Sequence, residues 1–193
     1  MTVAVLPIRF LGDPVLRQVC RTLSMEELRH PETQTFIDDL IETMRAANGA
    51  GLAAPQVGNP IAIAAVCIED NPRYPYKPNF PLTVFVNPVI KVLSDETEFL
   101  YEGCLSVPDL RGEVPRKMRI SIDAVDRYGV PINLTVSGLT AGTFQHEFDH
   151  LQGKLFVDRV TDSSSFCTWD NFHRFHRETF IKKAESIAEQ YGS

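Results

Sequence analysis

The stretch FQHEFDHLQG, residues 144–153, constrains this 193-residue chain more than any other. It contains His-Glu-x-x-His. On a helix, residues four apart lie about 40° round the axis and about 6 Å along it. The imidazoles of His146 and His150 then face the same way and can share one ion. Glu147, one step round, stands beside such an ion without ligating it. Phe144, Phe148 and Leu151 give the helix an apolar face. The pattern predicts a helix over 139–151, ending near Gly153 and packed on the rest of the chain. The plain alternative is a pair of surface histidines on an amphipathic helix. Two imidazoles do not complete a metal site, so the fold has to bring a third ligand from elsewhere.

Two places supply candidates. Downstream lie His173, His176 and Glu178, on a stretch whose apolar stripe of Phe172, Phe175, Phe180, Ile181 and Ile187 is explained by core packing alone. Upstream lies EGCLSVP, residues 102–108, where Cys104 follows a glycine that lets the backbone bend or approach closely. A thiolate with two imidazoles suits zinc or ferrous iron. Three protein ligands leave a fourth position open, which is the layout of a catalytic site. Cys104 is the better candidate. Cys20, Cys67 and Cys167 read as buried apolar thiols.

The rest of the chain reads as α+β. A helix is expected from Thr33, because Phe36, Ile37, Leu40, Ile41 and Met44 form one stripe, and Asn48-Gly49 stops it. GAGLAAPQVG (49–58) suits neither helix nor regular strand. Residues 61–69 read as a buried strand. DNPRYPYKPNFP (70–81), with prolines at 72, 75, 78 and 81, reads as a surface loop of polyproline character. Residues 82–93 give one or two strands broken at Asn87-Pro88. Alternation at Ile120, Ile122 and Ala124, then at Ile132, Leu134 and Val136, predicts two strands around a turn near Tyr128-Gly129. Ser163–Ser165 are expected to cap a final helix over about 164–191. With no repeat and no linker, residues 1–193 are expected to form one domain, its central metal-binding helix packed on mostly antiparallel sheet.

Composition narrows the function classes. A net charge of −6 does not suit a DNA-binding surface. No apolar run approaches the roughly 20 residues of a membrane span. MTVAVLPIRF is too short for a secretory leader, and four scattered cysteines do not suggest a disulfide framework. The expected compartment is cytoplasmic, a mature organellar form being the alternative.

Three short motifs then carry a resemblance. GAGLAAPQVG (49–58), EGCLS (102–106) and QHEFDH (145–150) occur in the order seen in peptide deformylases, and GDPVLR and HLQGKLFVDRV also fit, so the match spans residues 10 to 160. The chain therefore resembles that family, which removes the formyl group from N-formylmethionine on new polypeptides. The resemblance implies one divalent ion, Fe(II) first and Zn(II) or another ion as the alternative, held by Cys104, His146 and His150. It implies Glu147 as general base and acid, with Gln56 and the Leu105 N–H as donors to the oxyanion. It also implies main-chain pairing of substrate near Ala50, Gly51 and Gly103, a methionine pocket walled by Leu139, Thr143 and His146, and Arg111 near its mouth. Ala50 and Gly142 are smaller than is common in relatives, which is expected to widen the cleft. Two rivals stay open: an endopeptidase using the same helix, and a metal-stabilised binding module without chemistry. Arg174, Arg177, Lys182 and Lys183 mark the last helix as a possible contact with the ribosome, against the simpler reading of a solvated face.

Overall fold

A computed structural model describes residues 3–69 and 76–192. Five strands form one antiparallel sheet in the order β1-β2-β3-β6-β7. They are β1 (Gly51–Ala53), β2 (Ile63–Ile68), β3 (Phe80–Val92), β6 (Arg119–Val125) and β7 (Pro131–Ser137). Strands β4 (Thr97–Cys104) and β5 (Val107–Lys117) make a separate antiparallel pair. The helices are α1 (Met25–Arg29), α2 (Pro31–Ala46) and α3 (Gly138–Leu151). A C-terminal run follows: the turn α4 (Trp169–Asn171), a π-helical turn (Phe172–His176) and α5 (Arg177–Tyr191).

The uninterrupted apolar run of β2 is explained by layers on both sides of the sheet. Ile63 and Ala65 face α2, where they join Ile37, Leu40, Ile41 and Met44. Ala64, Val66 and Ile68 face the other way and join Phe85, Ile120, Ile122 and Val136 against Ala141, Phe144, Phe148 and Leu151 of α3. A third cluster sits beyond α3. There Phe172, Phe180, Ala184 and Ile187 of the C-terminal run pack on Leu100, Met118 and Leu139. Helix α3 is thus enclosed between the large sheet on one side and the β4–β5 pair with α5 on the other.

The α+β architecture and central helix agree with expectation. Several local readings need correction. The GAGLAAPQVG stretch does contain a short strand, β1, followed by a 3-10 turn over Ala54–Val57. Helix α2 starts at Pro31, and α1 precedes it, nucleated by a capping box in which Ser24 accepts from the Glu27 N–H and Glu27 accepts from the Ser24 N–H. Strand β3 is continuous through Asn87-Pro88 because a bulge absorbs the proline. Asn87 takes a left-handed φ of 52° there, and its side chain pairs with both backbone groups of Leu23. The C-terminal run is capped by Thr168, whose hydroxyl accepts from the Asn171 N–H; Ser163–Ser165 form a separate 3-10 turn. Of the expected polyproline loop, residues 70–75 lie outside the described residues. Tyr76 and Lys77 are half-buried rather than on the surface. No described helix is long and apolar enough to cross a membrane.

Part of the core is an aromatic cluster. Phe144 meets Phe80 and Phe85 edge-on at 5.1 and 5.0 Å between ring centroids, and Phe148 at 5.7 Å. Its side chain has no exposure. Phe144→Ala is expected to cost about 3–5 kcal/mol, a fall of roughly 6–20 °C in Tm. Thermal and denaturant unfolding check this, and a loss under about 1 kcal/mol would show that α3 is not anchored here.

Candidate metal centre

Helix α3 presents His146 and His150 on one face, their rings 5.0 Å apart and nearly perpendicular. Strand β4 ends at Cys104 directly opposite. Along β4 the pleat sends alternate side chains to one face, so Leu100, Glu102 and Cys104 all address α3. The Cys104 Sγ lies 3.3 Å from His150 Nε2. One ligand atom from each of Cys104, His146 and His150 falls within 4.8 Å of the others, close enough for all three to hold one ion. The downstream candidates His173, His176 and Glu178 are not in this group. His173 instead packs on Trp169, and Glu178 pairs with Lys182.

The sulfur receives two further donors, Gln56 Nε2 and the Ser106 N–H, each at 3.4 Å. The Gln56 amide is oriented by its own bonds: Oε1 accepts from the Ala53 N–H at 2.9 Å, and Nε2 also donates to Ser106 Oγ at 3.1 Å. The side chain is 2% exposed. Gln56 and Leu105 line the same pocket as Cys104 and Glu147.

A buried ionic chain fixes the ligands from behind. Glu102 Oε2 accepts from His146 Nδ1 at 2.8 Å, which turns the other ring nitrogen toward the sulfur. Arg116 grips both Glu102 oxygens, at 2.6 and 2.9 Å, and reaches Asp149 at 2.6 Å. Arg159 closes the other side of Asp149 at 2.5 and 3.1 Å. The chain therefore ties β4, β5 and α3 together. Glu102, Arg116 and Asp149 were not among the residues singled out from the sequence. Leu-x-Glu-x-Cys alternation on one strand was the available signal for Glu102.

The charge states follow from these contacts. Burial alone would raise the Glu102 pKa, but the charge and paired hydrogen bonds of Arg116, then His146, outweigh it and hold the carboxyl far below its usual range. Burial disfavours the His146 cation, yet hydrogen bonds to Cys104 and Glu102 prevail and raise its pKa well above the ordinary imidazole value. His150 is driven well below that value by burial and then by His146, which favours the neutral form of its ring. Burial pushes Glu147 up to about 7. Its carboxyl lies against the bare backbone of Gly51, where a Cβ would come within 2.4 Å of it. Glu147 Oε2 is buried without a hydrogen-bond partner among the described residues. A soft thiolate, two imidazoles with one oriented by a carboxylate, and an orphaned acceptor beside them fit a divalent ion with an open position.

The remaining predicted residues gather round the same pocket: Ala50, Gly51, Gly103, Arg111, Leu139 and Thr143 all line it. Arg111 is 2% exposed, its guanidinium 4.3 Å above Trp169 and 4.1 Å above Phe172. The expected widening at Gly142 does not occur. Leu100 fills the space, with Cδ1 only 2.5 Å from where a Cβ would stand.

The Glu102 chain generates a pH prediction. Below its ordinary pKa of 4.5, the native state holds fewer protons on Glu102 than the unfolded chain. Its stabilisation is present above that pH and is lost as the pH falls. Glu102→Gln is expected to cost about 3–5 kcal/mol near neutrality by stranding Arg116, and to flatten the acid limb. Denaturant unfolding from neutrality to pH 3, with chelator present, measures both. Equal acid slopes in the two proteins would contradict the assignment.

Comparison with known proteins places this geometry. The sequence pattern described as polypeptide deformylase matches residues 5–165. Peptide deformylase 1 of Nitrosomonas europaea is 42% identical over 160 residues, covering 83% of this chain and 90% of that protein. Peptide deformylase 2 of a Nostoc species is 42% identical over 174 residues, covering 89% and 95%. The class I type b peptide deformylase of Acinetobacter baumannii, solved with Met-Ala-Ser bound, superposes with a TM-score of 0.79 at 37% identity, covering 82% of this chain and all of that one. That of Synechococcus elongatus, solved with actinonin, gives 0.74 at 31% identity, covering all of this chain and 88% of that one. The chain belongs to the polypeptide deformylase family.

Proposed function

We propose that this protein is a metal-dependent hydrolase that removes the formyl group from N-formylmethionine at the start of nascent polypeptides and releases formate. The observation that carries this is the convergence of Cys104, His146 and His150 on one point, with the Glu147 carboxyl in the same pocket. The proposed ion is Fe(II), with Zn(II) the alternative. When bound, it supplies Lewis-acid polarisation and makes water a nucleophile near neutral pH. Glu147 takes the water proton at its carboxylate and returns it to the departing amine. A pKa near 7 suits both transfers. Gln56 Nε2 and the Leu105 N–H donate to the oxyanion of the tetrahedral intermediate, and one such donor is worth about 3 kcal/mol. An extended substrate lies along the backbone at Ala50, Gly51 and Gly103 as an added strand. Leu139 and Thr143 wall the pocket for its first side chain, and Arg111 borders it.

Two features favour this reading over its rivals. An endopeptidase with a downstream ligand would use His173, His176 or Glu178, and none of these joins the metal group. A purely structural site would have four protein ligands, whereas the group has three among the described residues. We further place the protein in the cytoplasm and read residues 1–193 as one domain, supported by the packing of α5 on Leu100, Met118 and Leu139.

Glu147→Gln is expected to lower formate release from formyl-Met-Ala-Ser by about 10²–10⁴-fold while metal content stays stoichiometric. Turnover within tenfold of the parent, or cleavage of internal peptide bonds at a comparable rate, would overturn the reading.

Contact with the ribosome through the C-terminal run is the proposed setting for nascent chains. Lys182 pairs with Glu178 and Lys183 with Glu98, so the basic strip rests on Arg174 and Arg177. Salt-sensitive cosedimentation with ribosomes is expected to fall at least fivefold in R174E/R177E. Cosedimentation unchanged by the double substitution would sink this contact.

A further inference from the structure

Strand β3 outruns its neighbour. β2 pairs with it from Phe80 to Val86, and the Asn87 N–H makes one more bond, to the Ala62 carbonyl. From Val89 to Val92 its partners are on β6 alone among the described strands. The Leu93 N–H donates to the Arg119 carbonyl at 2.9 Å. Main-chain groups alternate in direction along an antiparallel strand, so those of Lys91 and Leu93 address β6 and those of Ile90 and Val92 face the open edge. Val89, Val92 and Leu93 are each about half exposed. An apolar edge of this kind is a template for pairing, which folded chains block with a charge, a proline or a covering segment. Lys91 does not block this one, because its ammonium reaches across to Asp123 on β6 at 2.8 Å.

The edge opens on a groove of about 630 Å³. Gln145, Phe148 and Asp149 of α3 line it, and His146 and His150 do not, so it is separate from the metal centre. Val89, Pro115, Phe148 and Leu151 give it an apolar lining. Arg116, Lys117 and Arg159 bring three cations. Asp149 is the one carboxylate among the described lining residues, and both arginines already engage it. The side chains of Lys117 and Arg159 remain 35% and 40% exposed. Lys117 meets the fully exposed Asp95 carboxylate only at 3.7 Å, a pairing that water screens. A chain of net charge −6 thus concentrates cations beside its open strand edge.

We propose that the β3 edge and this groove form a docking site for an extended acidic segment of a partner protein, which adds as a strand beside Ile90 and Val92. Main-chain pairing supplies affinity, and the groove supplies selection. Apolar side chains of the segment settle against Phe148 and Leu151, and its carboxylates meet Lys117 and Arg159. A helix would leave the N–H and C=O groups of Ile90 and Val92 unpaired. A second copy of this chain, paired edge to edge about a two-fold axis, would bring the same cations face to face. An acidic strand satisfies both the edge and the charge.

The probe is the capped peptide Glu-Val-Thr-Val-Glu, with Lys-Val-Thr-Val-Lys as its control, titrated into the isotope-labelled, zinc-loaded full chain and followed by amide NMR and hydrogen exchange. In the free protein the amides of Ile90 and Val92 are expected to exchange about tenfold faster than those of Lys91 and Leu93, or more. The acidic peptide is expected to bind about tenfold more tightly than the basic one and, near saturation, to slow exchange at Ile90 and Val92 about tenfold. Val92→Pro removes a donor that β6 does not use, so the fold is expected to stand while affinity for the acidic peptide falls about fivefold. Lys117→Glu is expected to bring the acidic-to-basic preference below about threefold, and it decides should Val92→Pro fail to fold. Equal affinity for the two peptides, protection that appears away from β3, or slow exchange of Ile90 and Val92 in the free protein overturns the proposal. So does protection of those two amides that grows with protein concentration alone, which would assign the edge to a second copy.

Discussion

The structure turns on one buried arginine. Arg116 is 4% exposed at its side chain and is satisfied by two carboxylates from different elements, Glu102 on β4 and Asp149 on α3. A cation at that depth is tolerable only when fully paired, so the two elements must sit where its guanidinium can reach both. Fixing β4 against α3 in this register places Cys104 opposite the histidine pair. The same Glu102 that binds Arg116 also orients His146. Structural rigidity and ligand geometry therefore depend on the same set of atoms.

Around this link the layers serve different tasks. The five-stranded sheet and α2 provide the bulk of the apolar core and support α3 from one side. The β4–β5 pair carries the sulfur and the charged network on the other. The C-terminal run adds a wall. Trp169 and Phe172 enclose the Arg111 guanidinium, and Phe180 reaches the pocket itself. Sequence beyond residue 165, outside the span matched to the family, thus shapes the space next to the proposed reaction centre.

Much of this was legible before any coordinates. His146 and His150 were readable because helical spacing alone puts them on one face. Strands β6 and β7 were readable because Ile120, Ile122, Leu134 and Val136 alternate with polar residues. Strands β4 and β5 were not, because their inward positions include Glu102, Arg111 and Arg116, and a buried charge breaks the apolar pattern that marks a strand. The partners of Glu102 and Arg116 on α3 lie 44 and 33 residues away, and pairwise charge satisfaction has no local signature. Lys77 was read as part of a surface loop from its prolines, and only the fold brings it to Thr143. The Gly142 expectation failed for a related reason: a small residue on one element gave no sign that Leu100 on another would fill its space.

X-ray absorption spectroscopy of the protein loaded anaerobically with its native metal addresses the central claim most directly. The account predicts one sulfur neighbour, at about 2.3 Å if the ion is zinc, two imidazole nitrogens, and one further light-atom neighbour. A spectrum without sulfur, or one that keeps its sulfur after Cys104→Ala, would contradict it.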